Sequence, residues 1–314
     1  MTTTALTEQI AATIVGAQFP ELAPVRAIYL NEGCDSCAFI INNAWVFRFP
    51  KRAEIDEQLL IETRMLAVLE ERSPLPVPAF RFHGRPSSAF PFHFVGYARL
   101  PGVPGIRLNP ELIPFGAIAV TLGRFLTWLH AVPLDVPEGL GVPRYPLELL
   151  LDEVGPEALD DFEFVASVAP DAPLDEWRGF LIARPGTGSM PDPASSLLHN
   201  DFAAEHLLVD PVSYDVAGVV DWSDAAIGHP VADFAGVFHW GGEEFLKAVL
   251  QSYAGAVDPT FIAWARYLAA CRGAGDVAFG VLHNRREYVS AGLRALALCV
   301  PQPRLQSHSG REAR

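Results

Sequence analysis

The spacing of hydrophobic and polar residues predicts that the first part of the chain is rich in strands. After a short helical pattern at residues 5–16, three runs of β-branched and aromatic residues are separated by turns; they lie at 25–29, 38–41 and 45–49. Apolar residues at helical spacing then predict a helix over residues 57–69. Another strand pair surrounds the turn at residues 84–87 and ends in residues 92–100.

Beyond a Pro- and Gly-rich segment at residues 101–105, the pattern becomes mostly helical. Amphipathic spacing predicts helices at 118–131, 175–182, 243–253, 260–271 and 284–298, with strand-like runs at 207–209 and 216–220. The polar tail, residues 302–314, is expected to be disordered. Together these elements predict an α+β fold with a small antiparallel-sheet N-lobe, residues 1–100, and a larger helical C-lobe, residues 101–314.

The charge balance argues against polyanionic partners. The 314 residues include 37 Asp and Glu against 23 Lys and Arg, a formal charge of −14. Binding to nucleic acid or anionic lipid depends on Lys and Arg, so we expect neither a nucleic acid nor a membrane partner. No apolar run reaches the roughly 18 residues of a membrane span, and the N-terminus lacks the basic segment of a secretory leader. We therefore expect a cytoplasmic protein.

Cys34 and Cys37 have the CxxC spacing of a zinc or redox site. A zinc site would need a second pair of ligands at similar spacing, and the sequence contains no such pair. Two free thiols in a reducing compartment are the favoured interpretation.

Ionisable residues between positions 199 and 221 carry the candidate chemistry. Asp201 lies two residues after His199, His206 lies five after Asp201, and Asp221 follows an apolar run. Phosphoryl transfer to a hydroxyl needs a carboxylate that orients and deprotonates the hydroxyl, and metal ligands that neutralise the triphosphate. A tight loop followed by a two-stranded hairpin can bring these side chains together. His-x-Asp alone often occurs by chance, so the interpretation depends on the whole arrangement.

The same region resembles the aminoglycoside phosphotransferase family, which has a protein-kinase-like bilobal fold. The resemblance is specific in HNDFAAEHLLVD and GVVDWSDAAIGHPVADFA, looser in EGCDSCAFIINNAWVFRFP, FVGYARLPG and HWGGEEFLKAVL, and spans about residues 25–255. His206, where most relatives carry Asn, makes the chain most similar to the aminoglycoside 2''-phosphotransferases. The resemblance implies an ATP- or GTP-dependent kinase of small molecules, with the nucleotide between the lobes.

The resemblance also implies a role for each residue of the motif. Asp201 would be the catalytic base, and His206 and Asp221 would bind Mg²⁺ or Mn²⁺. His199 and Asp233 would support the catalytic loop, although a solvated position at a helix start explains Asp233 nearly as well. The residues that would bind the nucleotide lie in the phosphate loop, the third strand, the next helix and the hinge: Gly33, Ser36, Arg48, Glu62, Ala98 and Leu100.

Two positions depart from the family pattern. The family's phosphate-binding lysine falls at Arg48, which keeps the charge but is longer and planar, and which would pair with Glu62. Lys51 could take its place, and Arg48 could instead be an exposed cation at a strand edge. The imidazole of His206 suits magnesium less well than the amide oxygen it replaces.

Acidic residues are the candidates for binding the acceptor. Glu243 and Glu244 lie in a segment that resembles a helix near the family's substrate cleft, and residues 152–161 form an acidic run. The resemblance implies a polycation of the aminoglycoside type, although solvated helix faces explain the same residues. Two other functions stay open: a kinase of the same fold for a macrolide, sugar or amino alcohol, and a catalytically inactive nucleotide-binding module.

Overall fold

The N-terminal part of the chain forms a five-stranded antiparallel sheet with two helices. The structure is a computed structural model, and it describes residues 6–33, 35–185, 195–258 and 260–300. The elements are α1 (Glu8–Gln18), β1 (Ala27–Glu32), β2 (Ser36–Ile41), β3 (Trp45–Pro50), α2 (Ala53–Leu69), β4 (Phe80–Gly84) and β5 (Phe94–Ala98). The strands lie in the order β1-β2-β3-β5-β4, which places β3 at the centre.

Helices dominate the rest of the chain, together with two three-stranded sheets. One sheet contains β6 (Val103–Pro104), β9 (Leu207–Val209) and β10 (Val216–Val219); the other contains β7 (Arg144–Tyr145), β8 (Ser196–Leu198) and β11 (Ala226–Gly228). The helices are α3 (Phe115–His130), α4 (Asp135–Leu140), α5 (Leu147–Val168), α6 (Leu174–Ile182), α7 (Val231–Leu250), α8 (Phe261–Leu282) and α9 (Arg286–Cys299). The predicted α+β fold class is confirmed.

Strand β3 separates two apolar clusters because its side chains alternate between the faces of the sheet. Phe47 and Phe49 belong to an aromatic cluster beside α1, which also includes Phe94. Val46 belongs to the main core, and Arg48 shares its face of the strand. The alternation therefore directs Arg48 away from the aromatic cluster and toward Glu62 of α2.

The main core runs without a break from the N-terminal sheet into the helices. It joins Leu59 and Leu66 of α2 with Phe125 of α3 and Trp222. The first sheet ends at Ala98, and β6 already pairs with β9. The two parts thus share one core, and the predicted division at residue 100 stays a prediction.

Helices α7 and α8 extend well beyond their predicted ranges, and α5 was not predicted as a helix. α5 continues through Pro156, where only an acidic run was recognised. α7 begins at Val231, whereas the pattern predicted a helix only from 243. The pattern missed the first turns because they are buried on nearly all sides and have no amphipathic period. α8 continues through Gly273, where a Cβ would lie only 3.0 Å from the Gly292 carbonyl of α9. Glycine there permits close helix packing.

The sequence also gave expectations about membrane spans, the cysteines and the C-terminal tail. Among the described residues, no helix is both long and apolar enough to cross a membrane. Cys37, Cys271 and Cys299 are free thiols. Cys34 and the tail at residues 302–314 lie outside the described residues.

Candidate active site

The loop between β8 and β9 carries Asp201 between two cations. Oδ1 of Asp201 lies 2.6 Å from Nη1 of Arg272, and Oδ2 lies 2.9 Å from Nε2 of His206. Burial by itself would raise the pKa of the Asp201 carboxyl, but the two cations hold it well below its usual range. Asp201 is therefore a carboxylate at neutral pH, with lone pairs left to accept a hydroxyl proton.

Asp233, in the first turn of α7, anchors this loop. Its carboxylate accepts hydrogen bonds from the backbone N–H groups of His199 (3.1 Å) and Asn200 (2.7 Å), and Nε2 of His130 lies 2.9 Å away. Because the Asp233 side chain is fully buried, the alternative of a solvated position is wrong. Asn200 has φ of 65°, in the left-handed region that Asn tolerates better than most residues. The carboxylate therefore stabilises the unusual backbone immediately before Asp201.

His199 connects the catalytic loop with the hairpin that follows it. Its Nε2 donates to the Val220 carbonyl at 3.0 Å, and its Nδ1 accepts from the backbone N–H of Asp201 at 3.3 Å. Burial lowers the pKa of this imidazole, so the neutral form suits both contacts. A neutral His199 thus holds the backbone of Asp201 beside the end of β10.

Asp221 lies two residues after the last residue of β10, and Arg48 reaches it from the N-terminal sheet. Nη2 of Arg48 is 3.1 Å from Oδ1 of Asp221, while Nη1 is 2.6 Å from Oε1 of Glu62. Arg48 is 8% exposed, so the alternative of an exposed strand-edge cation is wrong. Asp221 has φ of 64°, a second left-handed residue at the site. One guanidinium therefore bridges α2 and the hairpin.

The turn between β1 and β2 contains the predicted phosphate loop. Gly33 is exposed, and its N–H donates to the Ser36 carbonyl at 3.1 Å. Nζ of Lys51 donates to the Gly33 carbonyl and lies beside Glu32, both at 2.6 Å. Lys51 thus braces this turn, and Arg48 rather than Lys51 forms the ion pair with Glu62. The nucleotide contacts of Gly33 and Ser36 stay predictions.

The hinge residues lie at the end of β5, opposite the hairpin that leads to Asp221. Ala98 is exposed and pairs with Trp45. Leu100 is half-buried, and a Cβ on Gly218 would lie 2.8 Å from its Cδ1. Glycine on β10 therefore lets the hinge pack directly on the strand before Asp221.

His206 and Asp221 are placed where they could share an ion. Nδ1 of His206 lies 3.8 Å from Oδ2 of Asp221. Burial would lower the pKa of His206, but Asp201 and the other carboxylates nearby raise it to about 9. Within the described parts of the chain, no three His, Cys, Asp or Glu side chains cluster so as to hold a metal by themselves. A metal here would need ligands from the nucleotide as well.

Arg272 of α8 was not predicted from the sequence, yet it contacts Asp201 directly. Its second terminal nitrogen, Nη2, lies 2.5 Å from Oε1 of Glu205. Arg272 is 71 residues from Asp201 in the chain, and no local motif marks it. Only the packing of α8 against the loop brings the two together.

A cavity of about 300 Å³ lies next to the catalytic loop, between α5, α7 and α8. Asn200 and Phe202, the sequence neighbours of Asp201, line it. The other lining side chains that can carry charge are Glu157 and Asp161 of α5 and Arg272 and Asp276 of α8. Part of the acidic run at residues 152–161 thus faces this cavity, although α5 was not predicted as a helix.

Glu243 and Glu244 lie beyond a kink in α7 at Gly242. Both carboxylates are paired with Nζ of Lys247, at 2.8 Å and 3.1 Å. Neither residue lines the cavity. Their role in binding the acceptor stays a prediction.

Known proteins share this architecture. The solved complex of APH(2'')-IIia with GDP and kanamycin superposes with a TM-score of 0.73 at 23% identity, covering 92% of this chain and 97% of that one. Macrolide 2'-phosphotransferase MphH from Brachybacterium faecium superposes with a TM-score of 0.56 at 23% identity, covering 89% and 92%. The uncharacterized protein YcbJ of Bacillus subtilis (strain 168) is 23% identical over 274 residues, 81% of this chain and 83% of that protein. At such identities the structural likeness establishes the fold.

The family follows from a match that covers most of the chain. Residues 29–270 match the model of the phosphotransferase enzyme family, APH, and this range includes the catalytic loop, Arg48 and Asp221. The resemblance read from the sequence is thereby confirmed. The chain belongs to the APH phosphotransferase enzyme family and is a nucleotide-dependent phosphotransferase.

Proposed function

We propose that this protein transfers the γ-phosphoryl group of ATP or GTP to a hydroxyl of a cationic small molecule of the aminoglycoside type. The observation that carries the proposal is the position of Asp201. On one side it contacts His206, which lies beside Asp221, and Asp221 in turn pairs with Arg48. On the other side it contacts Arg272, which lines the acidic cavity. A carboxylate between a phosphate-binding cleft and an acceptor cavity suits phosphoryl transfer.

Asp201 would orient the acceptor hydroxyl and take its proton as the new bond forms. Its low pKa makes it a weak base, which is adequate because the hydroxyl becomes acidic only as it attacks phosphorus. Positioning is then the larger part of its contribution. Arg48 would contact the phosphates, and Glu62 would keep its guanidinium in place.

Magnesium would be held by Asp221 and His206 together with phosphate oxygens. Asp221 would bind through a carboxylate oxygen and His206 through Nδ1 in its neutral form, so the ring would give up one proton as the ion enters. Phosphates and water would complete the shell, as is usual for Mg²⁺. The 3.8 Å between the two side chains is short enough for both to contact one ion. When bound, the ion neutralises charge on the triphosphate.

The charge of the cavity supports a cationic acceptor. Glu157 and Asp161 line it from α5, and Asp276 lines it from α8. Ammonium groups of an aminoglycoside would find the carboxylates of Glu157 and Asp161 there, whereas Asp276 is already paired with His239 at 3.0 Å. The structural likeness to a kanamycin complex is compatible with this substrate class.

A macrolide is the second candidate, because much of the cavity wall is apolar. Leu150, Val154, Phe202 and Leu268 contribute to it. A macrolide presents far more apolar surface than an aminoglycoside, and burying that surface is favourable. The structural neighbours include a macrolide 2'-phosphotransferase.

A panel assay tests the proposal and separates the candidates. Consumption of ATP and of GTP is measured with aminoglycosides, macrolides, sugars and amino alcohols. We expect turnover with at least one aminoglycoside. Turnover with macrolides alone would replace the first candidate by the second, and turnover with neither would refute both.

Paired variants then locate the acceptor. The double variant Glu157→Gln with Asp161→Asn removes two negative charges from the cavity wall. It should therefore raise the KM for a cationic acceptor by about tenfold and leave the nucleotide KM unchanged. Glu243→Gln with Glu244→Gln is the matched comparison. A larger KM effect for that second pair would support the prediction made from the sequence and refute the cavity as the binding site.

A further inference from the structure

We infer that Arg272 is a positioning residue that sets the orientation of the Asp201 carboxylate for attack by the acceptor hydroxyl. The inference rests on the proposed function only in that Asp201 acts on an acceptor. No motif in the sequence points to Arg272, and the inference depends on its contacts with Asp201 and Glu205.

The Arg272 guanidinium bridges two carboxylates of the same loop. Nη1 contacts Asp201 at 2.6 Å, and Nη2 contacts Glu205 at 2.5 Å. These acids lie four residues apart on the loop, and the planar fork of arginine can hold both at once. A lysine, with a single point charge, cannot reproduce that geometry.

The bridge leaves the Asp201 carboxylate little freedom to rotate. Arg272 holds Oδ1 while Nε2 of His206 lies 2.9 Å from Oδ2, so both oxygens have a nitrogen neighbour at hydrogen-bond distance. Each oxygen still has a lone pair for the acceptor hydroxyl. Arg272 also lines the cavity, as do Asn200 and Phe202, the sequence neighbours of Asp201.

Glu205 shows that the bridge has a cost in stability. Glu205 is 8% exposed, and its Oε2 is buried without a hydrogen-bond partner among the described residues. A buried, half-satisfied carboxylate is unfavourable, and a core would be more stable without it. The other oxygen, Oε1, accepts from Arg272. This pairing indicates that the function of Glu205 is to hold Arg272.

Loss of this orientation should lower the turnover number rather than substrate binding. A displacement of about 1 Å in a reacting group can cost about 100-fold in rate. Arg272→Ala should therefore lower kcat by about 100-fold, with the nucleotide KM within about twofold of wild type. The kcat of Arg272→Lys should lie between those of wild type and Arg272→Ala, because lysine restores the charge but cannot bridge Asp201 and Glu205.

Chemical rescue and a matched control separate positioning from stability. Guanidinium ion at millimolar concentration should restore part of the kcat of Arg272→Ala, because the truncation leaves a space next to Asp201 and Glu205. Arg266→Ala is the control: Arg266 is on the same helix and binds the Cys299 carbonyl away from the loop. It should keep wild-type kcat and show no rescue.

A crystal structure of Arg272→Ala gives a readout that does not require activity. We expect the Asp201 side chain to leave its wild-type rotamer or to occupy several. An unchanged Asp201 rotamer, or a kcat within threefold of wild type, would overturn the inference. Equal losses in Arg272→Ala and Arg266→Ala without rescue would also overturn it. If the wild-type enzyme phosphorylates nothing in the panel, the proposed function fails, while the variant structure still decides the role of Arg272.

Discussion

Asp201→Asn is the substitution with the most informative expected outcome. The amide keeps the shape of the carboxylate but cannot take up the hydroxyl proton. Its single oxygen can accept from Arg272 or from His206 but not from both, and its NH₂ group must face the other cation. Base function and orientation are therefore lost together.

The size of the effect follows from what each contribution is worth. General-base assistance contributes about 10²–10⁴ in rate, or roughly 3–5 kcal/mol of the barrier. We expect kcat to fall by at least about 100-fold. Nucleotide affinity should change far less than kcat, since Arg48, the proposed phosphate contact, bonds to Glu62 and Asp221 rather than to Asp201.

Steady-state kinetics and nucleotide titration measure the two quantities separately. Asp215→Asn is the matched control, because Asp215 is an exposed acid on the β9–β10 hairpin, which leads to Asp221. It should leave both quantities unchanged. If Asp201→Asn retains more than about a tenth of wild-type kcat, the role assigned to Asp201 is refuted.

Three other outcomes are expected. Gly236→Ala should destabilise the fold by about 3 kcal/mol in urea denaturation, because its Cβ would lie 1.8 Å from the Phe202 carbonyl. Gly179→Ala, with open space around it, should be neutral or stabilising, and equal effects of the two substitutions would contradict this. Arg48→Met should cost about 3–5 kcal/mol by stranding the buried Glu62, and adding Glu62→Leu should recover much of that loss; a double variant as unstable as the single would refute the pairing argument. Chelation of divalent metal should abolish phosphoryl transfer and added Mg²⁺ should restore it, and full activity in excess chelator would exclude the proposed metal site.

The sequence alone identified the elements whose signal is local. The strand predicted at residues 45–49 forms as β3, and its Arg48 pairs with Glu62 as the resemblance implied. The residues from His199 to Asp221 were predicted to converge, and they do, because one loop and one hairpin connect them. Short connections leave few alternative geometries, so spacing is informative.

Where burial or contacts distant in sequence determine the structure, the local sequence pattern does not predict it. The first turns of α7 are apolar on almost every side, so no helical period marks them. α5 contains Pro156, which local rules treat as a helix breaker, yet the packing of the helix tolerates it. In both cases tertiary contacts outweigh local preference.

Tertiary structure separates the two acidic segments that the sequence offered as candidates for the acceptor. The sequence favoured Glu243 and Glu244, whereas the folded chain pairs them with Lys247 and places Glu157 and Asp161 on the cavity wall. Arg272 reaches Asp201 across 71 residues because α8 packs beside the loop. Local spacing carries no information about which distant helix meets a loop, because that choice is made by the burial of whole helix faces in one shared core.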